Sequence, residues 1–490
     1  MSESAIVRRD PLPAWLAFTL LLSVAVPYWI WSSLDNQTGS SWYYALLTCV
    51  YAGSRLAWHI SSGRPRLFAF TFWLFCYVFL GAAPLAELRG DAERGTDPGI
   101  VHALDTTAFG VVIAGICAFE LGSILAARLR SSDSKPKPVH EHISEARALL
   151  LAVVGLAFSV MYIRRVGMHA YFGSRSAFSA AQQQSFGSNM ALSSLLQVLG
   201  YGTLLVAVVA MVYVRKQSRQ SVPRWFLCLC AVVLLFETNP ISSARYVSGI
   251  VYGGLLVAAG AFSRPQRARV VLTLITLLLL FGFTYTSAFR YTTNRSGVTV
   301  TQQSPLQNLA QSGDFDAFDE INNTILYVHH AGLTDGRQLV GVVTFFVPRS
   351  MWAGKPRDTG ILLADFRGYG FSNISAPLWA EAFINAGWVG LLLAFSALGF
   401  GLRCADDRAE WRMGSLGRPS LFACALPFYL LLLLRGSLLQ AMGPAAVLAA
   451  SVLFVADTRH QRLNVRERPR TRDLGEERAP TCNSLPVNVS

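Results

Sequence analysis

Charge is scarce in this chain. Only 14% of its 490 residues are Asp, Glu, Lys or Arg, and 52% are hydrophobic. Length alone would suggest two or three soluble domains. A mean hydropathy of +0.39 excludes them. The short alternating apolar segments of a transmembrane barrel are missing too. In their place stands a series of apolar runs close to the ~20 residues that carry a helix across a bilayer. The composition therefore defines an all-α polytopic membrane protein.

Cysteine is sparse, and its placement excludes another kind of support. Of the eight cysteines, Cys49, Cys76, Cys117, Cys228, Cys230 and Cys424 lie in apolar runs, while Cys404 and Cys482 lie in segments read as cytoplasmic. None falls in an outside loop, so no disulfide framework is expected there. Cys228-Leu-Cys230 has no His nearby and reads as small apolar packing rather than a metal site. Internal repeats are lacking. So are the paired broken helices at matching positions that mark secondary transporters.

Acid is the scarcer sign of charge, with 29 Asp+Glu against 42 Lys+Arg and a net +13. Such a balance can mark a nucleic-acid binder, but here topology explains it. Hydropathy gives about twelve spans: 13–31, 42–60, 67–86, 104–127, 148–163, 191–214, 225–240, 245–262, 270–288, 377–402, 420–434 and 437–456. Basic clusters between them, such as RKQSRQSVPR (215–224), SRPQRAR (263–269) and the 403–418 loop, fall on one side. The positive-inside rule makes that side cytoplasmic and puts both termini there. The first span is too long for a removed signal peptide and reads as an anchor. The organisation is nine spans over 1–289, one long outside loop over 290–375, three spans over 376–456, and a basic tail over 457–490 expected to be disordered.

A loop of that length in a compact protein is usually functional. SGDFDAFDEINNTILYVHH (312–330) repeats Phe315, Phe318, Ile321, Ile325 and Val328 near helical spacing. It reads as an amphipathic helix on the outer surface, with Asp314, Asp316, Asp319 and Glu320 on a solvated face. Those acids lack the Gly and the distal Glu of a calcium loop, so no metal is expected. RQLVGVVTFFVPRSMW (337–352) is too short to span and reads as a re-entrant or half-inserted helix halted at Pro348.

Cations stand at four places on this outer face: Arg245 in ETNPISSARYVSG, Arg290 after the ninth span, Arg349, Lys355 and Arg357 in FVPRSMWAGKPRDTG, and Arg435 between the last two spans. An Arg at a helix end can simply snorkel to lipid phosphate. Several guanidinium groups converging on one point repel unless an anion sits there, and their planar fork suits phosphate oxygens. Glu381, in APLWAEAFINAGWVG with Asn385 four residues on, has two readings. It is either a satisfied intramembrane Glu paired with an Arg, or a carboxylate that orients a sugar hydroxyl or takes its proton. His329 and His330 are an alternative base or an ordinary exposed pair.

PRSMWAGKPRDTG, SAPLWAEAFINAGWVG and LLLLRGSLLQ, with ARYVSG before the loop, together resemble the O-antigen polymerases, the Wzy-type oligosaccharide repeat-unit polymerases. The resemblance implies a GT-C-like glycosyltransferase of the bacterial inner membrane with one large periplasmic loop. It implies polymerisation of undecaprenyl-diphosphate-linked oligosaccharide units, without a metal or cofactor. On that resemblance Arg349, Arg435, Arg245, Arg290, Lys355 and Arg357 would bind the lipid diphosphate, and Glu381, His329 or His330 would act as base. Membrane lipid, a chain-length regulator and a flippase of the same pathway are the implied partners, and nucleic acid is not. Arg349 to Gly360 and Arg357 to Gly368 fit an Arg-x10-Gly pattern found in some members. The earlier outside loop, with Arg164, Arg165 and Arg175, departs from it.

Three rivals stay open. A ligase moving finished glycan to another acceptor would use the same cations. A non-enzymatic transporter of lipid-linked oligosaccharide would need a central charged cavity, and few charges lie mid-span. A polyprenyl-monophosphate-sugar glycosyltransferase would keep acids in a large first outside loop, where SSLDNQTGSS offers only Asp35.

Overall fold

A computed structural model describes residues 12–34, 39–94, 96–129, 143–187, 189–217, 222–282, 304–372 and 374–456. Arg290, the 457–490 tail and the hydrophilic stretch 130–142 lie outside them. The described chain is helical, and its extended pairing is one isolated bridge between Ile143 and Ala456.

Among the described residues, ten α-helical elements precede the long loop. They are α1 (Leu12–Ser33), α2 (Trp42–Ser62), α3 (Leu67–Gly90), α4 (Asp105–Leu129) and α5 (Glu145–Val166), then α6 (Arg175–Phe186), α7 (Met190–Gln217), α8 (Arg224–Glu237), α9 (Arg245–Ala259) and α10 (Pro265–Gly282). The loop itself carries α11 (Pro305–Gln311), α12 (Ala317–Ala331), α13 (Arg337–Val343) and α14 (Thr359–Arg367). The chain closes with α15 (Leu378–Leu416), α16 (Leu421–Arg435) and α17 (Leu438–Val455).

The expected spans overlap these helices, the ninth (270–288) being described only as far as Gly282. Eight, namely α1, α3, α4, α5, α7, α10, α15 and α17, are long and apolar enough to cross a membrane by length and composition. α9 and α16 are apolar but shorter. The stretch expected as a 403–418 cytoplasmic loop is instead mostly a continuation of α15 to Leu416. Its residues are good helix formers, Arg403 pairs with Asp407 one turn on at 3.1 Å, and Gly417 in the left-handed region (φ 66°) ends the helix. Asp406 on this extension accepts from the backbone N–H of Phe68 (3.0 Å) and Ala69 (2.9 Å). It thereby satisfies two orphan donors at the start of α3.

The tightest contact in the bundle is between α4 and α15. A Cβ placed on Gly122 would lie 1.9 Å from the Ser396 carbonyl oxygen, and one on Gly399 would lie 2.0 Å from that of Phe119. Only glycine on both helices permits this approach, the small-residue packing of membrane helices. Next to the crossing, buried Trp379 packs on Phe395 with ring centroids 4.2 Å apart and donates its Nε1–H to the Val112 carbonyl at 3.1 Å. Replacing Gly122 with Leu should separate α4 from α15 and lower stability by about 2 kcal/mol or more. A thermal melt of the detergent-purified protein checks this; an unchanged melting temperature would refute the packing argument.

Candidate functional site

The site begins with a break in α15. Ala386 (φ −152°, ψ 24°) and Gly387 (φ 58°, ψ −143°) leave helical geometry. Gly387 turns the backbone where a side chain would be strained. The break releases the carbonyls of Ile384 and Asn385 from the helix ladder. Thr334 N–H donates to the first at 2.9 Å and Gly336 N–H to the second at 3.0 Å. Asn385 Oδ1 then accepts from the Leu339 N–H at 3.2 Å. The helix break thus serves as the seat for the chain entering α13.

Glu381 sits on the short piece of α15 ahead of the break and is 2% exposed. Its Oε2 accepts from Thr359 Oγ1 at 2.9 Å, at the start of α14. Its Oε1 accepts from Ser437 Oγ and from the Leu438 N–H, both at 3.0 Å, at the start of α17. The partners are two hydroxyls and a backbone amide rather than the Arg weighed from the sequence. The carboxylate caps one helix and joins it to another, and negative charge is favoured at both N-termini. Through it the stretch ending in Arg357 is tied, two residues on, to the stretch ending in Arg435, again two residues on.

The cations themselves are engaged. Arg349 donates to the carbonyls of Lys355 (2.7 Å) and Pro356 (2.9 Å), and Lys355 Nζ donates to those of Phe345 and Val347, both at 2.8 Å. Burial, together with the nearby Arg349 charge, lowers the Lys355 ammonium pKa. These two side chains close residues 345–356 into a loop. Arg357 forms an exposed pair with Asp365 at 2.7 Å. Arg245 pairs with Asp314, and Arg435 donates to Asp316 at 3.0 Å and to the Gly313 carbonyl at 2.8 Å. Arg245 and Arg435 thus meet on one turn, Gly313–Asp316, from which the sequence expected only acids facing solvent. The helix expected to run to Pro348 ends at Val343, and the chain beyond it continues as turns. The α13 segment and the turns after it expose Leu339, Val340, Val343, Phe346 and Met351.

The 312–330 segment does form a helix, α12, but not on the outer surface. Its apolar side packs into the helical body, with Phe318 stacked on Phe109 at 4.2 Å. Its polar side is buried as well: Asp319, Glu320, Asn322, Asn323 and Thr324 are each at most 1% exposed, and Asp316 is 3% exposed. The solvated face is therefore corrected to an interior one. The partners that make this possible come from the connection between α3 and α4. Buried Arg94 joins Glu87 to Asp319 and reaches the Leu309 carbonyl, while Asn322 Nδ2 donates to Asp105 at 2.9 Å. Burial, with Asp316 and Asp319 nearby, pushes Asp97 up to about 7, and burial with Asp97 beside it holds Glu320 well above the usual carboxylate range. Arg94 and Asp97 were missed from the sequence. Their signal was the density of charge in ELRGDAERGTD (87–97), too high for an ordinary connection.

The remaining candidates are placed plainly. His329 and His330 end α12, exposed, with rings 5.3 Å apart; His330 lies near Phe366 at 6.1 Å. The glycines of the Arg-x10-Gly pattern have local reasons. A Cβ on Gly360 would lie 2.4 Å from the Ile374 carbonyl oxygen, and Gly368 (φ 69°) ends α14. Charges also gather between helices away from this site. A cavity of 330 Å³ is lined by Arg55, Glu120, Arg128 and Arg403, with Arg55 and Glu120 paired at 2.7 Å; Arg55 and Glu120 fall within expected spans, and Arg128 and Arg403 just past the ends of theirs.

Fold and site together define a helical, membrane-embedded protein with a buried charged junction at one end. Against protein-family models, curated proteins and solved structures, the chain has no match. Substitution can separate the two readings of Glu381. Glu381→Ala leaves three buried donors unpaired and should cost about 3 kcal/mol or more. Glu381→Gln retains an acceptor for the Leu438 N–H, and a hydroxyl can reverse to meet the amide, so its melting temperature should stay within a few degrees of the parent.

Proposed function

We propose that this chain polymerises undecaprenyl-diphosphate-linked oligosaccharide units at the outer face of a bacterial inner membrane, with both termini on the cytoplasmic side and twelve spans between them. The observation that carries this reading is the Glu381 junction, which ties the Arg349–Arg357 stretch to Arg435 beside an exposed apolar segment. Lipid phosphate is found at that depth, and the apolar residues of 339–351 would enter the head-group layer next to it.

The reaction breaks the bond between the anomeric carbon of the growing chain and its lipid diphosphate, and forms a new glycosidic bond to a hydroxyl of the next unit. The hydroxyl's proton passes to a base, and the diphosphate leaves with its charge. Cations placed where that charge develops lower the barrier. Arg357 is the most available, because an exposed ion pair is weak and exchanges readily. Arg435 and Arg349 would contact the leaving group by exchanging a protein acceptor for a phosphate oxygen. Glu381 is saturated by three donors, which favours His329 or His330, exposed at the end of α12, as the base.

Arg349→Ala and Arg435→Ala should each abolish long-chain polymer, measured as glycan length on gels, while the protein is still found in the membrane. Normal chain length in both variants would overturn the assignment. A deletion strain that accumulates single capped repeat units would favour polymerase over ligase. Elongation of lipid-linked repeats by the purified protein is the direct test.

A further inference from the structure

Five carboxylates, Glu87, Asp97, Asp316, Asp319 and Glu320, lie buried at the junction of α3, α12 and the connection to α4. Two guanidinium groups serve them. Arg94 takes Glu87 and Asp319, and Arg435 takes one oxygen of Asp316. Among the described residues no Lys or Arg pairs with Asp97 or Glu320. Buried charge without a counter-charge is costly, and structures avoid it.

The uncompensated groups are gathered. Asp97, Asp316 and Glu320 each turn an oxygen to one point, with these three atoms within 4.8 Å of one another. A second observation concerns partners rather than proximity. Asp97 Oδ1 and Glu320 Oε1 are sealed from solvent and accept from no N–H or O–H donor among the described residues, while the two carboxyl groups lie within hydrogen-bond reach of each other. Ser375, whose N–H donates to Asp316 Oδ2 at 3.3 Å, also buries an unpartnered Oγ. The other carboxylate oxygens are weakly provided for. Asp97 Oδ2 accepts from Thr96 Oγ1 at 3.0 Å and Glu320 Oε2 from Asn323 Nδ2 at 3.4 Å.

We infer that Asp97, Asp316 and Glu320 hold a divalent metal ion, which pins the α3–α4 connection to the loop helix α12. The all-oxygen, anionic donor set selects a hard cation. Carboxylate oxygens gathered within 4.8 Å of one another suit Ca²⁺, which takes oxygens at about 2.3–2.6 Å, or a smaller hard cation such as Mg²⁺ or Mn²⁺. The role is one of holding. The ion fixes Asp316, and Asp316 fixes Arg435. The inference concerns the loop's architecture and does not depend on which reaction the chain performs.

The test uses the full chain, purified in detergent without chelator. Elemental analysis after gel filtration should find about one Ca²⁺, Mg²⁺ or Mn²⁺ per chain. EDTA should lower the melting temperature by several degrees, and added Ca²⁺ should restore it. Asp97→Asn and Glu320→Gln should lose both the ion and the response to Ca²⁺. An intact chain that carries no metal and melts identically with EDTA and with Ca²⁺ would overturn the inference, and would assign the cluster to carboxyls sharing protons. Since these readouts involve the parent chain, they stand even if a variant fails to fold, and they are separate from any assay of polymer.

Discussion

The loop-bearing end of this molecule depends on the burial of one guanidinium. Arg94 stands in a short connection between two helices, yet it reaches Glu87 at the end of α3, Asp319 in α12 and the Leu309 carbonyl of α11. Without it the polar side of α12 could not enter the interior, since buried carboxylates need a counter-charge. With it, a segment lying far along the chain becomes part of the helical body. The Gly313–Asp316 turn is then fixed in place, and Arg245 and Arg435 are drawn to it. The geometry of the candidate site thus descends from a residue outside it.

A second constraint acts with the first. Segments facing lipid must satisfy their own backbone groups, and the bundle obeys this by helix formation. Where α15 breaks, the exposed carbonyls are taken up by Thr334 and Gly336 rather than by solvent. Where α14 and α17 begin, Thr359, Ser437 and the Leu438 N–H find Glu381. Polar groups at this end of the molecule pair with one another across long sequence distances, and the shape of the loop segment follows from that pairing.

The parts legible from sequence were those set by local composition. Apolar runs located the helices because burial in lipid selects residues one by one. The apolar stripe of α12 was legible for the same reason, though not that it packs inward. Its polar side was not, because Asp319 reads identically whether it meets water or Arg94, and the partner lies in another segment. The cations were recognised as a group, but their engagement was not: carbonyls carry no sequence signature, so the clips made by Arg349 and Lys355 were invisible. The C-terminal end of α15 was misjudged because hydropathy reports where lipid stops, not where the helix does. Glu381 was singled out as unusual, and it is, but as a joint between helices.

The closed turn of 345–356 has a consequence for how this surface can vary. Its shape is held by two long side chains bonded to main-chain carbonyls, which every residue type supplies. The identities of Phe346 and Met351, which project outward, therefore contribute little to the path of the chain. Such a turn behaves as a mount with interchangeable fittings. Its outward residues can be exchanged while the scaffold beneath stays the same, so diversification of what this face meets need not pass through unstable intermediates.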